Sequence, residues 1–305
     1  MTDQNPKHSF LRQLFSFAIV TFLLFLMGSF LVRNWKDIPF GELHFNVLWL
    51  ALSYLFLFMS FATSGIIWAR VLKGLNIRVS IPSAMKSIAL SQVGRYVPGH
   101  VWSYVGRAEL GKKDAIPRIT SAVGLFIETE LLVVSATLVF LLAYVLAFDQ
   151  WRAPLPKALI IGLLIIPIEF ILIHPRITNT LVSPFFRLFK REAPRVTLNY
   201  SMLLQLTLLY AAAWSCCGLG FYLLSKTVYP LSWSICIAVS GAYPAAWLVG
   251  FLSFIAPSGL GIREGVLVVL LSPLIPVPMA ITLSLLARVW TTLFELVCFL
   301  IFLRV

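Results

Sequence analysis

Apolar residues run along this chain in long blocks, separated by short clusters of basic and turn-forming residues. A helix that crosses a bilayer needs about 20 successive, mostly apolar residues. Blocks of about that length predict spanning helices over 14–32, 47–69, 119–147, 158–173, 200–224, 232–255 and 279–303. A shorter apolar piece, 262–274, follows Gly259 and Gly261 and is closed by Pro273, Pro276 and Pro278. It is either a tilted eighth span or a re-entrant helix. The expected fold class is an all-α polytopic membrane protein, a single domain over 1–305, with seven or eight transmembrane helices and one or two short broken or re-entrant ones.

Two stretches interrupt the apolar pattern at what would be membrane depth. From Ile81 the spacing of Ile81, Met85, Ile88, Ala89 and Val93 is that of an amphipathic helix. Pro98-Gly99 stops it, and a second helical stretch begins near His100. This reads as a re-entrant hairpin or as two helices lying in the head-group layer. In the second half, "FIAPSGLGIREGVLVVLL" again joins two apolar stretches through a Pro/Gly break with an arginine beside it. Non-helical backbone at that depth is tolerated only where protein or a wet cavity covers it. One interrupted segment in each half is a pointer to a binding site in transporter-like folds, and it leaves room for an inverted repeat.

Composition agrees with a membrane setting: 60% of residues are hydrophobic and 12% charged. The net charge of +12 does not imply nucleic acid, because no nucleic-acid-binding motif is present. Lysine and arginine instead mark cytoplasmic loops. The N-terminal segment and the stretches 70–118 and 176–195 hold sixteen of the twenty-four Lys/Arg residues, and the alternate loops hold five. The expected location is therefore the bacterial inner membrane, with the N-terminus cytoplasmic. The first apolar run is too long for a signal-peptide core and is expected to be retained. Cys216, Cys217, Cys236 and Cys298 lie in apolar runs without metal-ligand spacing and read as small hydrophobes.

Charges inside the apolar runs carry the functional signal. Each costs about 2.5–3.5 kcal/mol at a membrane helix centre and is by default functional. The candidates are Glu128, Glu130, Glu169, Arg263, Glu264, Arg288 and Glu295. Glu169 lies near a basic loop and reads as interfacial. Arg288 and Glu295, two turns apart, should each meet another helix. Glu128 and Glu130 point to different sides, so one at most lines a given site. Arg95 and Arg107 suit surface lipid head-groups and a binding site equally. Tyr96, Trp102 and Tyr104 have the character of interfacial anchors. The helix start after Gly261, with its open N–H groups and Arg263 beside it, is a candidate phosphate or carboxylate seat. No HExxH, GxSxG, Walker or EF-hand motif occurs, so neither an enzyme nor an ATP-driven pump is expected, and no cofactor or metal.

The segments "SQVGRYVPGHVWSYVGRAEL", "ETELLVV", "PSGLGIREGVLVVLL" and "LLARVWTTLFEL" resemble the transmembrane domain of the lysylphosphatidylglycerol synthase/flippase family. The chain ends at Val305 without a soluble synthase domain, so the expectation is a stand-alone member that transfers no lysyl group. The resemblance implies a membrane protein that handles lipid or lipid-linked head-groups. It carries binding roles to Arg95, Tyr96, Pro98, Gly99, Trp102 and Glu128. In the second half it carries them to Pro257, Gly259, Gly261, Arg263, Glu264 and Arg288. The resulting expectation is a flippase-like translocase for anionic or polyprenyl-phosphate-linked lipids. In it, Arg95 and Arg263 bind the head-group while Glu128 and Glu264 balance their charge in the empty site. The alternative is a non-transporting partner of an envelope glycosyltransferase or lipid-modifying enzyme. A homo-oligomer is compatible with either.

Overall fold

The computed structural model describes residues 41, 43–96, 102–111, 116–151, 198–253, 259, 261–304 and short pieces between 167 and 180. The expected spans over 14–32 and 158–173 lie wholly or largely outside these residues. All regular elements among the described residues are helical. They are α1 (Val47–Gly74), α2 (Ile81–Gln92), α3 (Trp102–Gly111), α4 (Arg118–Leu146), α5 (Tyr200–Val228), α6 (Cys236–Leu252), α7 (Ile262–Leu271) and α8 (Val277–Arg304). A 3-10 turn, Val93–Tyr96, extends α2, and another, Trp233–Ile235, leads into α6. Among the described residues, five helices are long and apolar enough to cross a membrane: α1, α4, α5, α8, and α6 with its leading turn.

Local chemistry sets the helix starts. Asn46 caps α1, its side-chain oxygen accepting from the N–H groups of Leu48 and Trp49. Ser80 caps α2, with Pro82 in the first turn where its missing N–H costs nothing. Asn199 caps α5 through the Met202 N–H. Asn46 and Asn199 sit where apolar blocks begin, so the block starts predict α1 and α5 closely, whereas α4 begins at Pro117 without a side-chain cap.

Close contacts fix the directions of the helices. α1 and α5 run antiparallel. The backbone N–H groups of His44 and Asn46 donate to Val228 and Thr227 at one end, Gly220 packs on the Ser53 carbonyl, and Gly74 meets Leu198 at the other end. α2 and α3 fold back on each other. A β-carbon on Gly94 would lie 2.7 Å from the backbone of Trp102 and Ser103, so only glycine lets the arms approach there. α3 returns to the start of α4, where Gly111 packs on Ser121. α6 and α7 likewise run antiparallel, Gly250 lying against Arg263 and Gly259 against the Gly250 backbone. Gly259 and Gly261 adopt positive φ angles of 66° and 83°, the region glycine enters without strain. At the far end, the Trp151 indole N–H donates to the Leu270 carbonyl and the Gln150 amide to Ser234.

The two ends of the bundle have different surfaces. One carries Arg70, Lys73, Arg78 and Arg118, at the end of α1 and the starts of α2 and α4. The other carries Lys226, whose ammonium lies 4.3 Å over Trp233 and 5.4 Å over Trp49. Two apolar cores follow this division. One is built around Tyr144, Trp151, Phe221, Tyr222 and Trp290, the other around Ile67, Trp68, Leu72, Ile127 and Leu131.

Candidate functional site

A cavity of about 270 Å³ lies between these cores, at the middle of the long helices. α1 contributes Ser60 and Ser64, α2 Ser91 and Gln92, and α3 Ser103, Tyr104 and Arg107. α4 adds Glu128 and Thr129, and α5 adds Tyr210, Trp214 and Cys217. Tyr243, Trp247 and Arg263 enter from the α6–α7 side, and Thr291 and Glu295 from α8. Arg95, from the turn that ends the first short helix, completes the wall.

Glu128 is the most heavily engaged group. Its side chain is 6% exposed. The Arg107 guanidinium forms an ion pair with Oε2, and the Tyr210 hydroxyl donates to Oε1 at 2.7 Å. Arg107 is oriented further by Ser91, whose hydroxyl accepts from Nε at 3.3 Å, and by the Trp68 ring 5.2 Å away. Arg95 pairs with Glu295 across the first short helix and α8. Arg263 lies 4.5 Å over the face of Tyr243. Such cation–π contacts contribute about 0.5–2 kcal/mol. Tyr104 meets the Thr129 hydroxyl at 3.3 Å.

A second buried pair stands apart from the cavity. Arg288 Nε donates to Glu264 Oε1 at 2.8 Å, and Glu264 Oε2 accepts from the Gly261 N–H at 2.6 Å. Their side chains are 5% and 8% exposed, and neither borders the cavity.

Of the residues expected from sequence, Arg95, Arg107, Glu128 and Arg263 come together around one space. Gly259 and Gly261 shape the approach of α7 to α6. Three expectations are corrected. Glu128 and Glu264 form their direct ion pairs with Arg107 and Arg288, where the expected partners are Arg95 and Arg263. At the helix start after Gly261, the Glu264 carboxylate of the same helix takes the anion's place on the Gly261 N–H. Tyr104 is no interfacial anchor but part of the cavity wall. Trp102 is 54% exposed and stays out of the cavity lining. Pro98, Gly99, Pro257, Glu169 and the Tyr96 side chain lie outside the described residues.

Sequence reasoning missed Tyr210, Tyr243, Trp214 and Trp247 as wall residues. Each sits in an apolar run where an aromatic residue carries no separate signal. Arg288 and Glu295 do meet other elements, as their spacing predicts.

No protein-family model matches this chain. No curated protein is significantly similar to it either.

Proposed function

We propose that this chain is a flippase-like translocase of the bacterial inner membrane that binds anionic lipid head-groups in the central cavity. The observation that carries the reading is the convergence of both interrupted segments on one space, which receives Arg95 from the first and Arg263 from the second. Among the described residues of the lining, Arg95, Arg107 and Arg263 stand with Glu128 and Glu295, a set of charges that belongs at membrane depth only where it has work to do.

The order of helices supports an inverted arrangement of the two halves. α1 runs toward the basic end, α2 and α3 form a hairpin open at that end, and α4 runs back. α5 runs toward the Lys226 end, α6 and α7 form a hairpin open there, and α8 runs back. Two interrupted hairpins that open toward opposite faces and bring residues of both breaks to one cavity are the geometry on which alternating access is built. The basic end is then cytoplasmic. The motif resemblance to the lysylphosphatidylglycerol synthase/flippase family points to the same class of cargo.

The test is identification of lipids that co-purify with the protein, by native mass spectrometry, beside the R95A/R263A double variant. A specific anionic or polyprenyl-linked lipid, retained by the wild type and lost in the variant, is the expected result. Bulk lipid only, unchanged in the variant, would sink the translocase reading and favour a role in anchoring a partner enzyme.

A further inference from the structure

We propose that the hydrocarbon chain of a bound lipid leaves the central cavity through the seam between α1 and α8, and that the ring contact of Phe61 with Phe294 is the shutter of that seam. The inference rests on the head-group reading above and deepens it by placing the rest of the ligand, with the head in the cavity and the chain in the bilayer.

The positions of the two phenylalanines start it. On α1, Leu57, Ser60, Phe61 and Ser64 border the cavity at helical spacing, while Leu55, Phe58 and Met59 are exposed. Phe61 stands one turn beyond Phe58, at the edge between the cavity stripe and the exposed stripe. On α8, Thr291, Phe294, Glu295 and Cys298 border the cavity, while Leu293, Val297 and Leu300 are exposed. Phe294 stands one turn before Val297, again at an edge. The two edges face each other: the rings of Phe61 and Phe294 meet edge to face, their centroids 5.7 Å apart. The pair therefore divides the cavity from the exposed apolar surface.

This seam differs from the other walls. α1 packs closely on α5, α2 and α4, and α8 on α7, α2 and α5. Among the described residues, α1 and α8 are not a closely packed pair, and aromatic side chains span the space between them. Tyr54 reaches Trp290, and Phe61 reaches both Phe294 and Phe302. A phenyl ring can turn aside by changing rotamer while the backbone stays in place. A joint such as that of α5 with α1, where Gly220 lies on the Ser53 carbonyl, has no such freedom.

Size requires an exit. Sites that enclose a drug-sized ligand measure about 300–1,000 Å³. At about 270 Å³ the cavity has room for a head-group and none for a long chain beside it. The chain also gains nothing among Ser60, Ser64, Gln92 and the ion pairs. Exposed Phe58, Met59 and Val297 offer it apolar surface continuous with the bilayer. The occupant of the opened seam is thus hydrocarbon attached to the anion in the cavity, and a soluble anion would leave the shutter closed.

The experiment replaces Phe294 of the full chain by the photo-crosslinking residue p-benzoylphenylalanine. The protein is reconstituted in phosphatidylcholine vesicles doped with phosphatidylglycerol and a polyprenyl phosphate. The same replacement of Val297 reports bulk lipid, and adducts are identified by mass spectrometry after illumination. Adducts at position 294 should be enriched in one of the two anionic lipids over its share of the vesicle, with the crosslink on the chain. Adducts at position 297 should follow the vesicle composition. In R95A/R263A the enrichment at 294 should be lost while capture at 297 stays unchanged, a difference that a merely structural ring pair would not produce.

Adducts at 294 that match those at 297, from protein that still retains an anionic lipid by native mass spectrometry, overturn the seam and leave the cavity reading intact. Enrichment at 294 that survives in R95A/R263A puts the lipid on the outer surface and overturns the inference as well. Neither enrichment nor a retained anionic lipid overturns the cavity reading and the inference with it. Position 61 gives the same measurement from the other side of the seam, and R95Q/R263Q replaces the alanine pair, where the first variants do not fold.

Discussion

Arg107–Glu128 and Arg288–Glu264 each tie a short helix to the long helix that follows it, with the signs exchanged. In the first pair the arginine sits on short α3 and the glutamate on long α4. In the second the glutamate sits on short α7 and the arginine on long α8. Both pairs are nearly closed off from solvent, yet only the first borders the cavity. The second is consumed internally, because its carboxylate also holds the N–H of Gly261. The lesson is that burial and pairing alone do not mark a functional charge. What separates the two is whether a ligand can reach the pair and whether the partners would survive being parted.

The comparison breaks hardest at Glu264. E264A leaves Arg288 buried without its carboxylate and frees the start of α7. It should cost about 3–5 kcal/mol, read as a large drop in thermal unfolding temperature in detergent. Equal stability of E264A and wild type would show that the two pairs do not differ in the way described.

Y210F tests the other pair more gently. It removes one hydrogen bond to a charged group, about 1.5–3 kcal/mol by denaturant unfolding, while Arg107 still holds the carboxylate. The hairpins sharpen the contrast further. G94A forces a β-carbon to 2.7 Å from the α3 backbone and should cost about 1–3 kcal/mol. Because that contact sits beside Arg95, G94A should also weaken anionic-lipid retention, measured by the same native mass spectrometry. The smallest effect is expected far from both pairs. K226M removes an ammonium stacked on Trp233 and Trp49, for a loss of about 0.5–1 kcal/mol and unchanged lipid retention.

The long helices were legible because membrane insertion leaves a plain record in sequence: α1, α4, α5 and α8 coincide with apolar blocks. The short helices were legible from Pro82, Pro98-Gly99 and the glycines at 259 and 261, which interrupt that record. Arg95, Glu128 and Arg263 could be found because a charge in an apolar run is conspicuous. Their partners could not. That Arg107 meets Glu128 and Arg95 meets Glu295 depends on helix directions that only contacts such as Gly94 on Ser103 and Gly220 on Ser53 establish. The seat at the α7 start was misjudged for the same kind of reason: whether Glu264 folds back onto Gly261 depends on local geometry that composition does not record.

The pairing of α1 with α5 bears on how the chain is made. Asn46 meets Thr227, Ser53 meets Gly220, and Gly74 meets Leu198, so contacting residues stand 124 to 181 positions apart. At about 5–20 residues per second of synthesis, α1 waits roughly 6–36 s for its partner. Through that interval the Ser53 region of α1 waits for Gly220, while Gly65 further along already has Met85 of α2 to pack on. Early α1 is the species a membrane chaperone would have to shelter.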